Sequence, residues 1–204
     1  MEKINYQDKM EKIINSLNKT PRLLLHSCCA PCSSYVLTYL TKYFDITVLY
    51  YNPNIEPVEE YNKRKEEEIR FIKEMDKINQ VDLLDCDWEH DKFIDIAKGL
   101  EKEPERGKRC YKCYELRLKK TCEVAKKNNY DFFATTLTLS PYKNSDWINE
   151  IGQTLEKEFG VRYLCSDFKK HDGYKKSIEL SHKYNLYRQN YCGCIYSRPK
   201  EDLK

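Results

Sequence analysis

The chain has 204 residues, 40% of them hydrophobic and 34% charged, with a formal net charge of +3. That balance fits a soluble, cored domain and excludes a disordered chain, while +3 alone says nothing about partners. Met1–Lys19 is polar and lacks the apolar stretch of a secretory signal, and no run approaches the ~18 apolar residues of a membrane span, so the expected compartment is the cytoplasm, where thiols stay reduced.

Taken in chain order, an N-terminal helix is expected within residues 1–20. Short β-branched and apolar runs then alternate with longer helical patterns. The strands are expected at Arg22–Ser27, Ile46–Tyr51, Val81–Asp85, Asp131–Leu139 and Val161–Cys165. The helices between and after them are expected at Pro31–Tyr43, Glu56–Ile78, Trp88–Leu100, Lys108–Asn128, Ser145–Phe159 and Tyr174–Tyr184. Residues 186–204 form a tail without helical or strand pattern. Strand and helix in alternation predict one α/β domain over residues 1–204, built on a mostly parallel sheet of about five strands with helices on both faces, of Rossmann-like kind. Sites in such folds lie beyond the carboxyl ends of the strands. Cys28, Cys29 and Cys32, Tyr51–Asn54, Thr138–Tyr142 and Ser166–Phe168 should therefore share one rim.

Seven of the ten cysteines fall into three groups: Cys28-Cys29-x-x-Cys32, Cys110-x-x-Cys113 and Cys192-x-Cys194. Cytoplasmic thiols grouped this way point to soft metal ligands or redox chemistry rather than a disulfide framework. The first group opens a helix, where partial positive charge favours a thiolate, and Pro31 suits an early helical position. Cys110 and Cys113, at i and i+3, share a helix face. Zinc, iron–sulfur and thioredoxin-like sites all use that spacing. Cys192 and Cys194 can reach one metal or close a strained, easily reduced disulfide, with Gly193 relieving the turn. Paired zinc-ribbon motifs are absent from the sequence, and the spacings favour an iron–sulfur cluster over zinc. Cys122 lies on the apolar face of its helix and Cys165 closes an apolar strand, so both are expected in the core. Cys86 stands at a strand's carboxyl end. Of the four histidines only His26 is near the rim, as a hydrogen-bonded scaffold residue.

No glycine-rich phosphate loop follows the first strand, which weighs against nucleotide activation. Basic residues and tyrosines interleave around the second and third cysteine groups. Arg106–Lys127 holds nine Lys/Arg against two Glu, and Lys112, Tyr114 and Arg117, Lys169, Lys170, Tyr174, Lys175 and Lys176, and Tyr187, Arg188 and Tyr191 alternate charge with rings. Such surfaces neutralise phosphates and stack unpaired bases, although a solvated charged face has the same composition. On residues alone an iron–sulfur tRNA thiolase, a zinc-stabilised RNA-binding module and a thiol–disulfide oxidoreductase stay open.

The segments LLLHSCCAPCSSYVL, YYNPNIEPVEEYNKR, GKRCYKCYELRL, FFATTLTLSPYKN, CSDFKKHDGYKKS and YCGCIYS together resemble the epoxyqueuosine reductases of the QueH type. The resemblance runs from Leu23 to about Ser197. It implies a HUP-type α/β fold and removal of the epoxide oxygen of epoxyqueuosine in the anticodon loop of tRNA, giving queuosine. It also implies a [4Fe–4S] cluster on Cys28, Cys29, Cys110 and Cys113, and a redox-active or metal-binding pair, Cys192 and Cys194. A second mononuclear metal, iron, is expected beside the cluster, with Asp167 as a candidate carboxylate. The partners expected are tRNA and an electron donor of unknown identity, and no membrane. Cys32 receives no role from the resemblance.

Overall fold

The structure is a computed structural model and describes residues 4–198. The outermost residues of the expected N-terminal region and tail, 1–3 and 199–204, lie outside the described residues. The first helix, α1 (Tyr6–Asn15), starts where the Asn5 carboxamide oxygen accepts from the Gln7 and Asp8 amides. Then follow β1 (Arg22–His26), α2 (Ala30–Leu40), β2 (Asp45–Leu49), α3 (Val58–Glu74), β3 (Val81–Leu84), α4 (His90–Ala97), α5 (Lys108–Lys127), β4 (Phe132–Thr135), α6 (Ser145–Phe159), β5 (Arg162–Tyr163) and α7 (Gly173–Lys183).

The five strands form one sheet in the order β3-β2-β1-β4-β5, and every pairing is parallel. The expected α/β class is therefore present, with a sheet parallel throughout among the described residues. β1 is central because Leu23, Leu24 and Leu25 are all buried, an unbroken apolar run suited to a strand covered on both faces. Burial of each such side chain contributes roughly 2 kcal/mol. Leu23 and Leu25 pack with Val36, Leu37, Leu40 and Phe71 on one face; Leu24 packs with Leu118, Cys122, Ile148 and Ile151 on the other. Cys122 and Cys165 are core residues, as expected.

All five strands are shorter than the sequence suggests, three by a single residue and two by more. The run Asp131–Leu139 pairs only over Phe132–Thr135, and Thr136–Leu139 winds into a 3₁₀ turn. The Thr135 hydroxyl accepts from the Leu137 amide at 3.1 Å, giving the backbone a local partner in place of the sheet. β5 keeps two residues, Arg162 and Tyr163. Both endings turn the chain sharply at the carboxyl edge of the sheet, where the cysteines gather.

Candidate active site

The first cysteine group is placed by backbone. β1 delivers Cys28 and Cys29 to the rim, and Cys29 is the extended residue from which α2 departs. Its carbonyl accepts from the amides of Cys32 and Ser33 at 3.1 and 3.0 Å. The ligand atoms of Cys28, Cys29 and Cys32 all lie within 4.8 Å of one another. The Cys28 and Cys29 sulfurs are 3.8 Å apart. The Cys29 and Cys32 thiols turn toward Cys28, so its pKa falls well below the usual thiol range while that of Cys29 is pushed up to about 12 and that of Cys32 well above normal.

His26 anchors this half from below. It is fully buried, with Nδ1 2.9 Å from the Thr135 hydroxyl and Nε2 3.0 Å from the Tyr51 carbonyl. A carbonyl can only accept, so Nε2 carries the proton and Nδ1 accepts from Thr135. Burial holds the pKa of His26 down at about 3. It is a neutral scaffold residue tying β1 to the ends of β2 and β4.

The second group rides on α5. Cys110 and Cys113 occupy its first two turns, and Arg109 fixes the approach by donating to the carbonyls of Leu100, Glu101 and Glu103 at 2.8, 3.1 and 2.7 Å. Burial raises the Cys110 pKa and lifts that of Cys113 to about 12. Both sulfurs border a small cavity of about 20 Å³ that Cys192 and Cys194 also line.

The third group arrives on a strap, residues 186–198, with no regular structure beyond a 3₁₀ turn at Ile195–Ser197. Arg64, 2% exposed on α3, holds it. Its Nη1 donates to the Cys192 carbonyl at 3.2 Å, its Nη2 lies 3.5 Å from the Tyr191 carbonyl, and its Nε pairs with Glu60 at 2.6 Å. The Glu56 amide donates to the Gly193 carbonyl at 3.0 Å, and the Tyr191 hydroxyl donates to the Glu56 carbonyl at 2.8 Å. Gly193 has φ +119°, and a Cβ there would stand 2.8 Å from Ile55 Cγ1 and 3.1 Å from Arg64 Nη1. Only glycine meets both demands. Gln189 donates to the Cys29 sulfur at 2.9 Å and so stitches the strap to the first group.

A larger cavity, about 240 Å³, opens between strap and rim. Cys28, Cys32 and Cys192 line it, with Arg64, Lys143, Tyr142, Tyr174 and Arg188. It shares Glu105, Lys143 and Cys192 with the smaller one, so the two adjoin. All ten cysteines are free thiols.

Cations surround the sulfurs. Arg117 is 1% exposed on α5; its Nη1 donates to Asn52 Oδ1 at 3.2 Å, while Nε and Nη2 have no partner among the described residues. Burial alone would weaken its charge, but the Cys113, Cys192 and Cys28 thiols oppose this and its pKa is raised. A buried guanidinium with two idle donors beside thiols suits an anionic occupant. The three thiols of the first group, with buried cations nearby, could hold a soft metal; hard-cation sites use oxygen ligands instead. Sequence reading named the cysteines and missed Arg64 and Lys143, and it took Arg117 only as part of a basic surface. The spacing of Cys110, Cys113 and Arg117, one helix face, was the signal available for the last.

Cys32, left without a role from sequence, joins Cys28 and Cys29 in the tight group. Asp167 stands at the rim as expected, but its carboxylate is held by Lys169, which also donates to the Thr138 carbonyl at 3.1 Å, and it lines neither cavity. Cys86 donates to the Tyr50 carbonyl at 3.2 Å, away from both. Among the described residues no helix is long and apolar enough to cross a membrane.

Comparison with known proteins matches residues 23–200 to the family model "Epoxyqueuosine reductase QueH". A protein of Staphylococcus epidermidis named epoxyqueuosine reductase QueH is 42% identical over 209 residues, covering 99% of this chain and 88% of the relative. A Streptococcus pyogenes protein of that name is 43% identical, over 99% of this chain and 81% of its own length. A Thermotoga maritima one is 35% identical, over 86% and 89%.

Proposed function

Because the chain belongs to the QueH family of epoxyqueuosine reductases, we propose that it reduces epoxyqueuosine to queuosine in the anticodon loop of tRNA, in the cytoplasm. The observation that carries the reading is that six cysteines from three chain segments line two adjoining cavities at the carboxyl edge of the sheet, with the seventh, Cys29, grouped with Cys28 and Cys32.

In this reading Cys28, Cys29, Cys110 and Cys113 hold a [4Fe–4S] cluster, and Cys192 and Cys194 are the redox or metal-binding pair, with a mononuclear iron beside the cluster. When bound, the cluster supplies single electrons and the iron a Lewis acid. Removing the epoxide oxygen breaks two C–O bonds and forms one C=C bond; the oxygen leaves as water, taking two electrons and two protons. Oxidation of the Cys192–Cys194 dithiol to a disulfide releases two electrons and two protons, which balances the change, and an external donor then restores the dithiol. Cys192 is suited to this because it lines both cavities. Asp167, engaged by Lys169 outside the cavities, receives no step. The half-buried Tyr174, the exposed Tyr142 and the exposed Arg188 at the mouth offer rings and charge to an unstacked anticodon nucleotide and its phosphates.

Protein purified without oxygen should contain iron and acid-labile sulfide. Given dithionite, it should convert tRNA carrying epoxyqueuosine to tRNA carrying queuosine, read by nucleoside mass spectrometry. Zinc in place of iron, or full turnover by Cys110→Ala, would reject the proposed ligand set.

A further inference from the structure

Among the described residues, Lys143 is the one cation that lines both cavities without being spent on anything else. It follows the turn after β4, where its amide donates to the Ser140 carbonyl at 3.2 Å. The next residue, Asn144, is locked as the cap of α6, its Oδ1 accepting from Asp146 and Trp147 at 3.1 and 3.2 Å. The backbone is therefore fixed on both sides of Lys143. Its side chain enters between the first cysteine group and Cys192. The residue as a whole is half-buried, yet its ammonium lies deep. Burial, the largest influence, would lower the pKa, and the Cys192, Cys28 and Cys32 thiols raise it instead. Among the described residues the ammonium makes no hydrogen bond or ion pair. Of the other cations lining these cavities, Arg64 is committed to strap carbonyls and Glu60, Arg109 to loop carbonyls and Arg188 to the Ser181 hydroxyl, while Arg117 keeps two idle donors but lines only the smaller cavity. An ammonium at this depth with three donors free is poised for an oxygen that arrives with the substrate.

We propose that Lys143 is a catalytic residue that donates a hydrogen bond to the epoxide oxygen and stabilises the negative charge gathering there as the C–O bonds break. The assignment rests on the epoxyqueuosine reading above. The electrons and protons come from the Cys192–Cys194 dithiol, regenerated by a low-potential external reductant, and the oxygen departs as water. Lys143 keeps its own proton and acts by position and charge. A donor lost from a developing oxyanion costs about 10²–10³-fold in rate.

The test compares wild type, Lys143→Met and Lys143→Arg, purified without oxygen and assayed with dithionite. Iron and sulfide content and the Kd for tRNA carrying the product queuosine, which lacks the epoxide oxygen, should match wild type in both variants. Lys143→Met should lose about 10²-fold or more in kcat, and Lys143→Arg should recover part of it. A second readout is independent of turnover. Without reductant, wild type should bind epoxyqueuosine tRNA more tightly than queuosine tRNA, and Lys143→Met should lose that preference. Turnover by Lys143→Met within threefold of wild type, or loss of iron together with activity, overturns the assignment. The second outcome would make Lys143 a counter-ion of the metal group. An inactive wild type overturns the functional reading itself, which separates the two failures.

Discussion

The two halves of the cysteine site are built by different means. Cys28, Cys29 and Cys32 are set by regular structure: a central strand, a helix start and backbone hydrogen bonds that leave little freedom. Cys192 and Cys194 sit on a strap with almost none, and the side chain of Arg64 holds it from another element. The second half can open without unfolding the sheet, because its anchors are mainly side-chain contacts, most of them to α3, with Gln189 reaching Cys29 and Arg188 reaching Ser181. A site that must admit a nucleotide of a large RNA and still exclude water gains from such a division: fixed ligands on one wall, a detachable wall opposite.

The most damaging way to break this contrast is Arg64→Met. It removes both bonds to the strap carbonyls and leaves Glu60, mostly buried, without its cation and with only the Tyr187 hydroxyl as a partner. Stability should fall by roughly 3 kcal/mol. Activity should fall about 10²-fold, because Cys192 is no longer held against the cavity. Iron and sulfide should remain, since none of the four proposed cluster ligands lies on the strap. Alkylation of Cys192 and Cys194 in the metal-free protein, followed by peptide mass spectrometry, should quicken relative to Cys28. Unchanged alkylation would show that something other than Arg64 holds the strap.

The same contrast marks what could be read from sequence. The 3.6-residue period of α5 and α6 was legible almost to the residue because each has one apolar face and a polar one. The seven site cysteines were legible because soft ligands cluster along the chain. Arg64 was not. In the run Val58–Glu74 it reads as one more charge on a solvated face, and its burial is decided by backbone carbonyls 127 and 128 positions away. The end of β4 was misread for a local reason: Thr135 and Thr136 have strand-like side chains, yet the Thr135 hydroxyl captures the amide that turns the chain. Lys143 was hidden in a loop whose geometry depends on that turn.

A second prediction loads the rigid half alone. Glu68 on α3 is fully buried, and neither carboxylate oxygen has an aligned hydrogen-bond partner among the described residues. Burial raises its pKa to about 8, and the nearby Ser33 and Ser27 hydroxyls pull it only part of the way back. The native state therefore keeps a proton that the unfolded chain releases near pH 4.5. This contribution to stability is fully present below about pH 4.5, is lost as pH rises through 8, and is constant above that. Glu68→Gln keeps the shape and removes the titration. Relative to wild type it should gain stability between pH 5 and pH 8, by up to about 4 kcal/mol. Urea melts at the two pH values measure it. A pH-independent difference would mean that Glu68 is ionised in the native protein, with a partner that the buried site does not reveal.

The smallest effect is expected outside both halves, at Asp167. If it ligated a metal or delivered a proton, Asp167→Asn would cost 10²-fold or more in kcat. Its carboxylate is instead engaged by Lys169, partly exposed, and borders neither cavity. Partly exposed pairs of this kind contribute about 1 kcal/mol or less. Lys169 also keeps its bond to the Thr138 carbonyl when the carboxylate is gone. The 3₁₀ turn that leads to Lys143 should therefore hold its place, and kcat/KM should stay within about threefold of wild type. A large loss in kcat with the iron retained would bring Asp167 into the chemistry and move the boundary of the site outward to the end of β5. A loss of iron would make it a ligand and add a third wall to the two compared here.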